Sequence, residues 1–179
     1  AFTRHFSVFI ALGFSLKPLT TNGATTTATN PPTMTGQWTQ TTGPYGGTIT
    51  ELVAGGNNLI AGTENGVFLS SDYGQSWKYG SNGLADITVQ SIAVNGNSIF
   101  VGTKGNGIFI STDSGQSWTA ANNGMTGSFI QALAISGNSV FAGTYDKCLF
   151  ISTNNGQNWT PITSGLGSLP ISPLLVSGS

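Results

Sequence analysis

Charge is nearly absent from this sequence. Lys, Arg, Asp and Glu together make up 6% of it, where about 25% is usual for a soluble protein. Five basic and six acidic residues leave a net charge of −1. No basic patch exists to hold nucleic acid or an anionic membrane. One cysteine, Cys148, excludes an intrachain disulfide and a Cys-based metal cluster. It reads as a partly buried thiol, with an intermolecular bridge as the alternative. One histidine, His5, stands close to the N-terminus. No Ser-His or Cys-His nucleophile machinery can therefore be built in the body of the chain. Sustained helical periodicity is missing from every window.

What fills the space is Gly, Thr, Ser and Asn. Glycine alone accounts for 26 of the 179 residues. The chain is still no disordered polymer: 38% is apolar, with four Trp and ten Phe. Arg4 and His5 precede an apolar run, Phe6 to Leu16, too short to span a bilayer as a helix. Residues 1–24 are expected to be a secretory signal peptide or a retained apolar segment. That reading, with the charge-poor composition, suggests a secreted or extracytoplasmic protein. Residues 25–35 are a Thr-rich linker with nothing to bury. The folded domain is expected over 36–179.

Self-similarity dominates that region. Trp38, Trp77, Trp118 and Trp159 are spaced 39, 41 and 41 residues apart. The pairs Gly56-Asn57, Gly96-Asn97 and Gly137-Asn138 keep the same step, as do Gly62-Thr63, Gly102-Thr103 and Gly143-Thr144. Three units, near 49–77, 89–118 and 130–159, share four apolar strokes. The first is ITELVA, VQSIAV and IQALAI; the second LIAGT, IFVGT and VFAGT. The third is VFLSS, IFIST and LFIST, and the short fourth is QSWK, QSWT and QNWT. β-Branched and aromatic residues fill the strokes, and Gly/Asn turns separate them. Four antiparallel strands per 41 residues is the period of a β-propeller blade. The fold class is therefore all-β, with about three complete blades and partial ones at either side. The first stroke fits an innermost strand, with small Ala54, Ala93 and Ala134 where blades converge.

Between strokes three and four each unit writes one phrase: SSDYGQSW, STDSGQSW and STNNGQNW. Asp72 and Asp113 suit an Asx-type turn that captures following N–H groups. Gly74, Gly115 and Gly156 supply a conformation a Cβ disfavours. Ser70, Ser111 and Ser152 can bond the turn from its other limb. Trp77, Trp118 and Trp159 are expected to fold back over their own hairpins. Asn154 replaces Asp in the third unit, which a turn tolerates and a catalytic or metal carboxylate does not.

The phrase S-x-D-x-G-x-x-W resembles the Asp-box, or BNR, repeat, and residues 36–179 resemble that family throughout. The resemblance implies a β-propeller, a scaffold shared by sialidases, endoglucanases, sortilin-like receptors and photosystem II assembly factors. It also implies that the repeated turn is structural and lies away from the ligand face. A sialidase-like site needs three arginines, and the one arginine here is Arg4. A glycoside hydrolase needs two facing carboxylates. Glu51, Glu64, Asp86 and Asp146 remain outside the turns and form no recognisable pair in sequence. Neither a cofactor nor a metal is expected.

The candidate ligand face lies opposite the repeated turns. It takes Glu64, Lys104, Asn106, Tyr145, Asp146 and Lys147 from the loops between strokes two and three. Tyr79, Asn82, Asp86, Asn122 and Asn123 join from the links between units. The expected function is a non-catalytic binding or scaffolding module for a protein or carbohydrate ligand. The alternatives are a segment of a larger glycoside hydrolase and a self-assembling extracellular subunit. Three units do not close a ring, so further blades, or other copies pairing through open blade edges, are expected.

Overall fold

The computed structural model describes residues 43–45, 47–55, 58–84, 86–146, 149–163 and 174. All belong to one compact unit, Thr41–Ser179. The apolar segment 1–24, the linker 25–35, Trp38, Gly56-Asn57, Lys147, Cys148 and most of the tail from Ile171 lie outside the described residues.

Twelve strands form three four-stranded antiparallel sheets, each in simple sequential order. Sheet 1 holds β1 (Ile49–Gly55), β2 (Asn58–Thr63), β3 (Gly66–Ser70) and β4 (Lys78–Tyr79). Sheet 2 holds β5 (Val89–Asn95), β6 (Ser98–Thr103), β7 (Ile108–Ser111) and β8 (Thr119–Ala120). Sheet 3 holds β9 (Ile130–Ser136), β10 (Ser139–Thr144), β11 (Leu149–Ser152) and β12 (Thr160–Ile162). First strands pack on first strands, β1 against β5 and β5 against β9. These are consecutive propeller blades with β1, β5 and β9 innermost, as the 41-residue period implies.

The period-2 alternation of a strand explains the core. In sheet 2, Ile92 pairs with Val101 and Val101 with Phe109; one register step away, Ala93 pairs with Phe100 and Phe100 with Ile110. The first row faces sheet 1, where Ile92 and Val101 pack with Ile60, Val67, Leu84 and Trp118. The second faces sheet 3, where Phe100 packs with Ile130, Val140, Phe150 and Trp159. Both faces of the middle sheet are thus buried, which accounts for the unbroken apolar runs. Each such fully buried side chain contributes about 1.5–3 kcal/mol.

Glycines let the sheets approach closely. Of the first-strand alanines, Ala93 is buried in the core, Ala134 is half-buried and Ala54 is exposed. A methyl group on Gly62 would lie 2.6 Å from Val89, and one on Gly102 2.5 Å from Ile130. Val89 and Ile130 begin the next sheet and seat on these bare backbones. Thr63 and Thr103, fully buried, turn their hydroxyls to the carbonyls of Gly66 and Gly107 at 3.0 and 2.7 Å. The repeated Gly-Thr therefore combines close sheet packing with closure of the β2–β3 type of loop.

Two features differ from the sequence reading. The fourth strand begins after the Trp, because Asp72 and Asp113 capture the N–H groups before it. The Trp side chains also reach further than their own hairpins. The Trp118 indole N–H donates to the carbonyl of Gly80 at 2.7 Å, and its backbone N–H to Asn82 at 2.9 Å. Trp159 repeats this onto Ala121 and Asn123, both at 2.8 Å. Each Trp ties its sheet to the preceding one. Trp77 alone bonds its own turn, at Gly74, and is half-buried.

Replacing Trp118 by Phe keeps a ring but strands the buried Gly80 carbonyl. Urea denaturation is expected to show a loss of about 1–3 kcal/mol, against less than about 1 kcal/mol for Trp77→Phe.

Candidate functional site

Strand order separates two ends in each sheet. At one end lie the turns joining first to second strands and the S-x-D-x-G-x-x-W turns. At the other lie the loops joining second to third strands and the links between sheets.

The first end is closed on itself. The Ser70 hydroxyl donates to Asp72 at 2.8 Å and accepts the N–H of Gly74 at 2.8 Å. Asp72 also accepts the N–H of Ser76 at 2.9 Å and its hydroxyl at 2.6 Å. Ser111, Asp113, Gly115 and Ser117 repeat the arrangement. Ser152, Asn154, Gly156 and Asn158 keep its Ser–Asx core. Asn154 holds the N–H of Asn158 at 2.9 Å, so an amide oxygen serves where Asp stood. Two consecutive residues in each turn take positive φ: Tyr73 and Gly74, Ser114 and Gly115, Asn155 and Gly156. A methyl on Gly115 would also strike Leu69 of sheet 1 at 2.8 Å. Bonds from Ser76 and Ser117, then from Ser70 and Ser111, hold the Asp72 and Asp113 carboxyls down at about 2. The Ser and Asx oxygens of the phrase are thus engaged in holding the turn.

The opposite end carries the candidate ligand residues. Here adjacent sheets are sewn together by their links. The Thr88 hydroxyl donates to the Glu64 carbonyl of sheet 1 at 3.1 Å, while within sheet 2 the Lys104 N–H donates to the Thr88 carbonyl at 2.9 Å. Gly107 of sheet 2 donates its N–H to Ser128 in the link to sheet 3 at 2.8 Å, and within sheet 3 Tyr145 donates its N–H to Phe129 at 3.0 Å. Tyr79 is 53% exposed; its hydroxyl donates to the Asn65 carbonyl, and its ring meets Phe68 edge-on at 5.2 Å. Tyr145 is 56% exposed and lies against Phe129 at 5.4 Å. The backbone of Asn106 is fixed by Thr103 and by the Asn122 amide. Glu64, Lys104 and Asp146 are exposed on the same three loops.

Some candidates are committed elsewhere. The carbonyls of Asn82 and Asn123 hold the Trp of the next sheet. The Asn122 side chain accepts the N–H of Ile108 at 2.7 Å, as Ser81 does for Val67. Lys147 is outside the described residues. Thr88, Ser128 and Phe129 were missed, although Thr48 and Thr88 recur just before their first strands.

Asp86 lies in the link between sheets 1 and 2, while Glu64 and Asp146 do not converge. Glu64 and Asp146 sit on sheets 1 and 3, with sheet 2 between them. Among the described residues, no three His, Cys, Asp or Glu gather as metal ligands. Glu51 lies on innermost β1 and accepts the N–H of Ile92 on β5. Burial raises its carboxyl above the ordinary 4.5, opposed by that hydrogen bond. Two shallow open grooves, about 360 and 350 Å³, lie between sheets 2 and 3. Neither is lined by Glu64, Tyr79, Lys104, Asn106, Tyr145 or Asp146.

Comparison with known proteins places this arrangement. Residues 78–175 match the family described as DUF6242 beta propeller domain. No curated protein matches the chain. Among solved structures, an ancestral GH74 enzyme is 26% identical with a TM-score of 0.57, over 65% of this chain and 18% of its own. The GH74 enzyme of Niastella koreensis is 27% identical with a TM-score of 0.50, over 69% of this chain and 19% of its own. YCF48 bound to a D1 peptide is 21% identical with a TM-score of 0.53, over 63% and 40%. The chain thus spans less than half the length of each of these three. The YCF48 likeness is one of fold.

Two pH effects are expected. Asp72 and Asp113 ionise more readily folded than unfolded. Their stabilisation is present above the ordinary 3.8 and is lost as pH falls toward about 2. The double variant Asp72→Asn with Asp113→Asn should flatten denaturation midpoints across that window. For Glu51 the sign reverses: its folded carboxyl holds the proton more tightly, so ionisation costs stability as pH rises above 4.5. Glu51→Gln should be more stable than the parent at neutral pH and match it in acid.

Proposed function

The chain belongs to the DUF6242 beta propeller domain family, and on that footing we propose that it is a non-catalytic, extracytoplasmic binding module. Its ligand is a protein segment, taken at the end opposite the S-x-D-x-G-x-x-W turns, which we read as Asp-box turns. The observation that carries this is the pair Tyr79 and Tyr145. Both expose about half their surface while their rings and backbones are anchored from below. A fixed aromatic face with a hydroxyl at its rim loses little entropy on binding and gives large contact area. Glu64, Lys104 and Asp146 around it can orient a polar backbone or a charged terminus. At the level of fold, YCF48 with its D1 peptide supports a propeller serving a peptide. The sparse charge supports a place outside the cytoplasm.

A second reading rests on the GH74 enzymes, 26% and 27% identical. In it the chain is one segment of a larger carbohydrate-active enzyme. The separation of Glu64 from Asp146 by a whole sheet favours the first reading.

Peptides selected by display against the chain test this. Tyr79→Ala and Tyr145→Ala should each weaken a selected peptide roughly five- to thirtyfold, about 1–2 kcal/mol. Tyr73→Ala, at the other end, should leave it unchanged. Loss of binding with Tyr73→Ala alone would overturn the assignment of the face. Two facing carboxylates on further blades of a longer reading frame would establish the enzyme reading.

A further inference from the structure

Asn-Gly is the dipeptide most open to self-modification. Glycine has no Cβ to shield its nitrogen or restrict its rotation. Six such pairs lie among the described residues, at Asn65, Asn82, Asn95, Asn106, Asn123 and Asn155. From the structure we infer that Asn95 is a deamidation site and that the fold protects the other five.

The protection is specific at each position. Succinimide closure needs a free glycine N–H and a peptide plane that can rotate. The Gly107 N–H is held by Ser128 at 2.8 Å, and the Gly156 N–H by the Ser152 hydroxyl at 2.9 Å. The Asn82 and Asn123 carbonyls, in the planes that must turn, accept the N–H groups of Trp118 and Trp159. Gly83 and Gly124 are further pressed against those tryptophans. The Asn65 carbonyl accepts the Tyr79 hydroxyl, and Gly66 lies in β3 beneath Ser81 and Leu84.

Asn95 closes β5 and pairs with Ser98 across the turn, but the glycine that follows it is held by no side chain and packed by no neighbour. Gly96 is exposed, takes φ 58° in the β5–β6 turn, and has nothing within 4 Å of where a Cβ would be. No hydrogen-bond partner of its N–H is found among the described residues.

The reaction needs only water. The Gly96 nitrogen attacks Cγ of Asn95, and the new N–C bond closes a five-membered imide. The Cγ–Nδ2 bond breaks, and ammonia leaves with the proton from the Gly96 N–H. Water then opens the imide at either carbonyl, giving aspartate or isoaspartate. The consequence reaches the next sheet. Asn95 Nδ2 donates to the Gly137 carbonyl of the β9–β10 turn at 3.3 Å. The product puts a carboxylate against that carbonyl, in a groove lined by Asn138, Asn154 and Asn155. Deamidation would loosen the contact between the turns of sheets 2 and 3.

The test is peptide mapping by mass spectrometry of the folded full chain, held at mildly alkaline pH and physiological temperature. The peptide carrying Asn95 should gain about one dalton. It should do so about tenfold faster than those carrying Asn106 and Asn155, the factor one hydrogen bond on the attacking nitrogen supplies. In urea the six rates should converge. Uniform rates in the folded chain, or earlier reaction at Asn82 or Asn123, would overturn the inference.

Discussion

The bond from a tryptophan to the sheet before it governs the arrangement of this molecule. Each of Trp118 and Trp159 spends both its N–H groups on carbonyls of the preceding unit. To reach them the indole is buried against the preceding unit, with the backbones close. Close backbones demand glycine where the next turn crosses, hence Gly115 over Leu69 and Gly156 over Phe100. They also demand Gly62 and Gly102, onto which Val89 and Ile130 seat. One contact geometry, repeated, thus accounts for three recurring sequence marks: the Trp, the turn glycine and the Gly-Thr.

The same bond divides the molecule chemically. At the turn end, side-chain oxygens of Ser, Asp and Asn are consumed in holding left-handed turns that aim the Trp. Their carboxylates are already saturated by N–H and O–H donors, which is why they titrate low and why an amide can replace one. At the loop end, the Thr88 hydroxyl and the Ser128 carbonyl join the sheets, while the carbonyls of Thr88 and Phe129 extend the pairing of their own sheets. That leaves the side chains of Glu64, Tyr79, Lys104 and Tyr145 oriented but available. A rigid frame beneath adaptable side chains is what a recognition surface needs.

Much of the fold was legible because its signals are local. β-Branched strokes between Gly/Asn turns gave the strands, and Ser-x-Asp-x-Gly gave a turn whose partners lie within four residues. The tryptophans show where local signals stop: Trp118 was assigned to its own hairpin, but its acceptor lies about one repeat away, 38 residues for the indole. A backbone carbonyl such as that of Gly80 or Asn82 carries no mark in the sequence. The candidate site was placed by alternation of strand direction, which follows from pattern alone. Its stitching by Thr88 and Ser128 was not, since those residues look like ordinary linkers.

The tryptophan contact also has a direction. Acceptors at Gly80 and Asn82 precede the donor Trp118 in the chain, and Ala121 and Asn123 precede Trp159. A ribosome therefore delivers every acceptor before the residue that needs it. Each unit, once complete, finds its docking surface already made and waits for nothing downstream. Vectorial synthesis and the handedness of the contact agree, so the chain can grow by stacking one finished sheet on another.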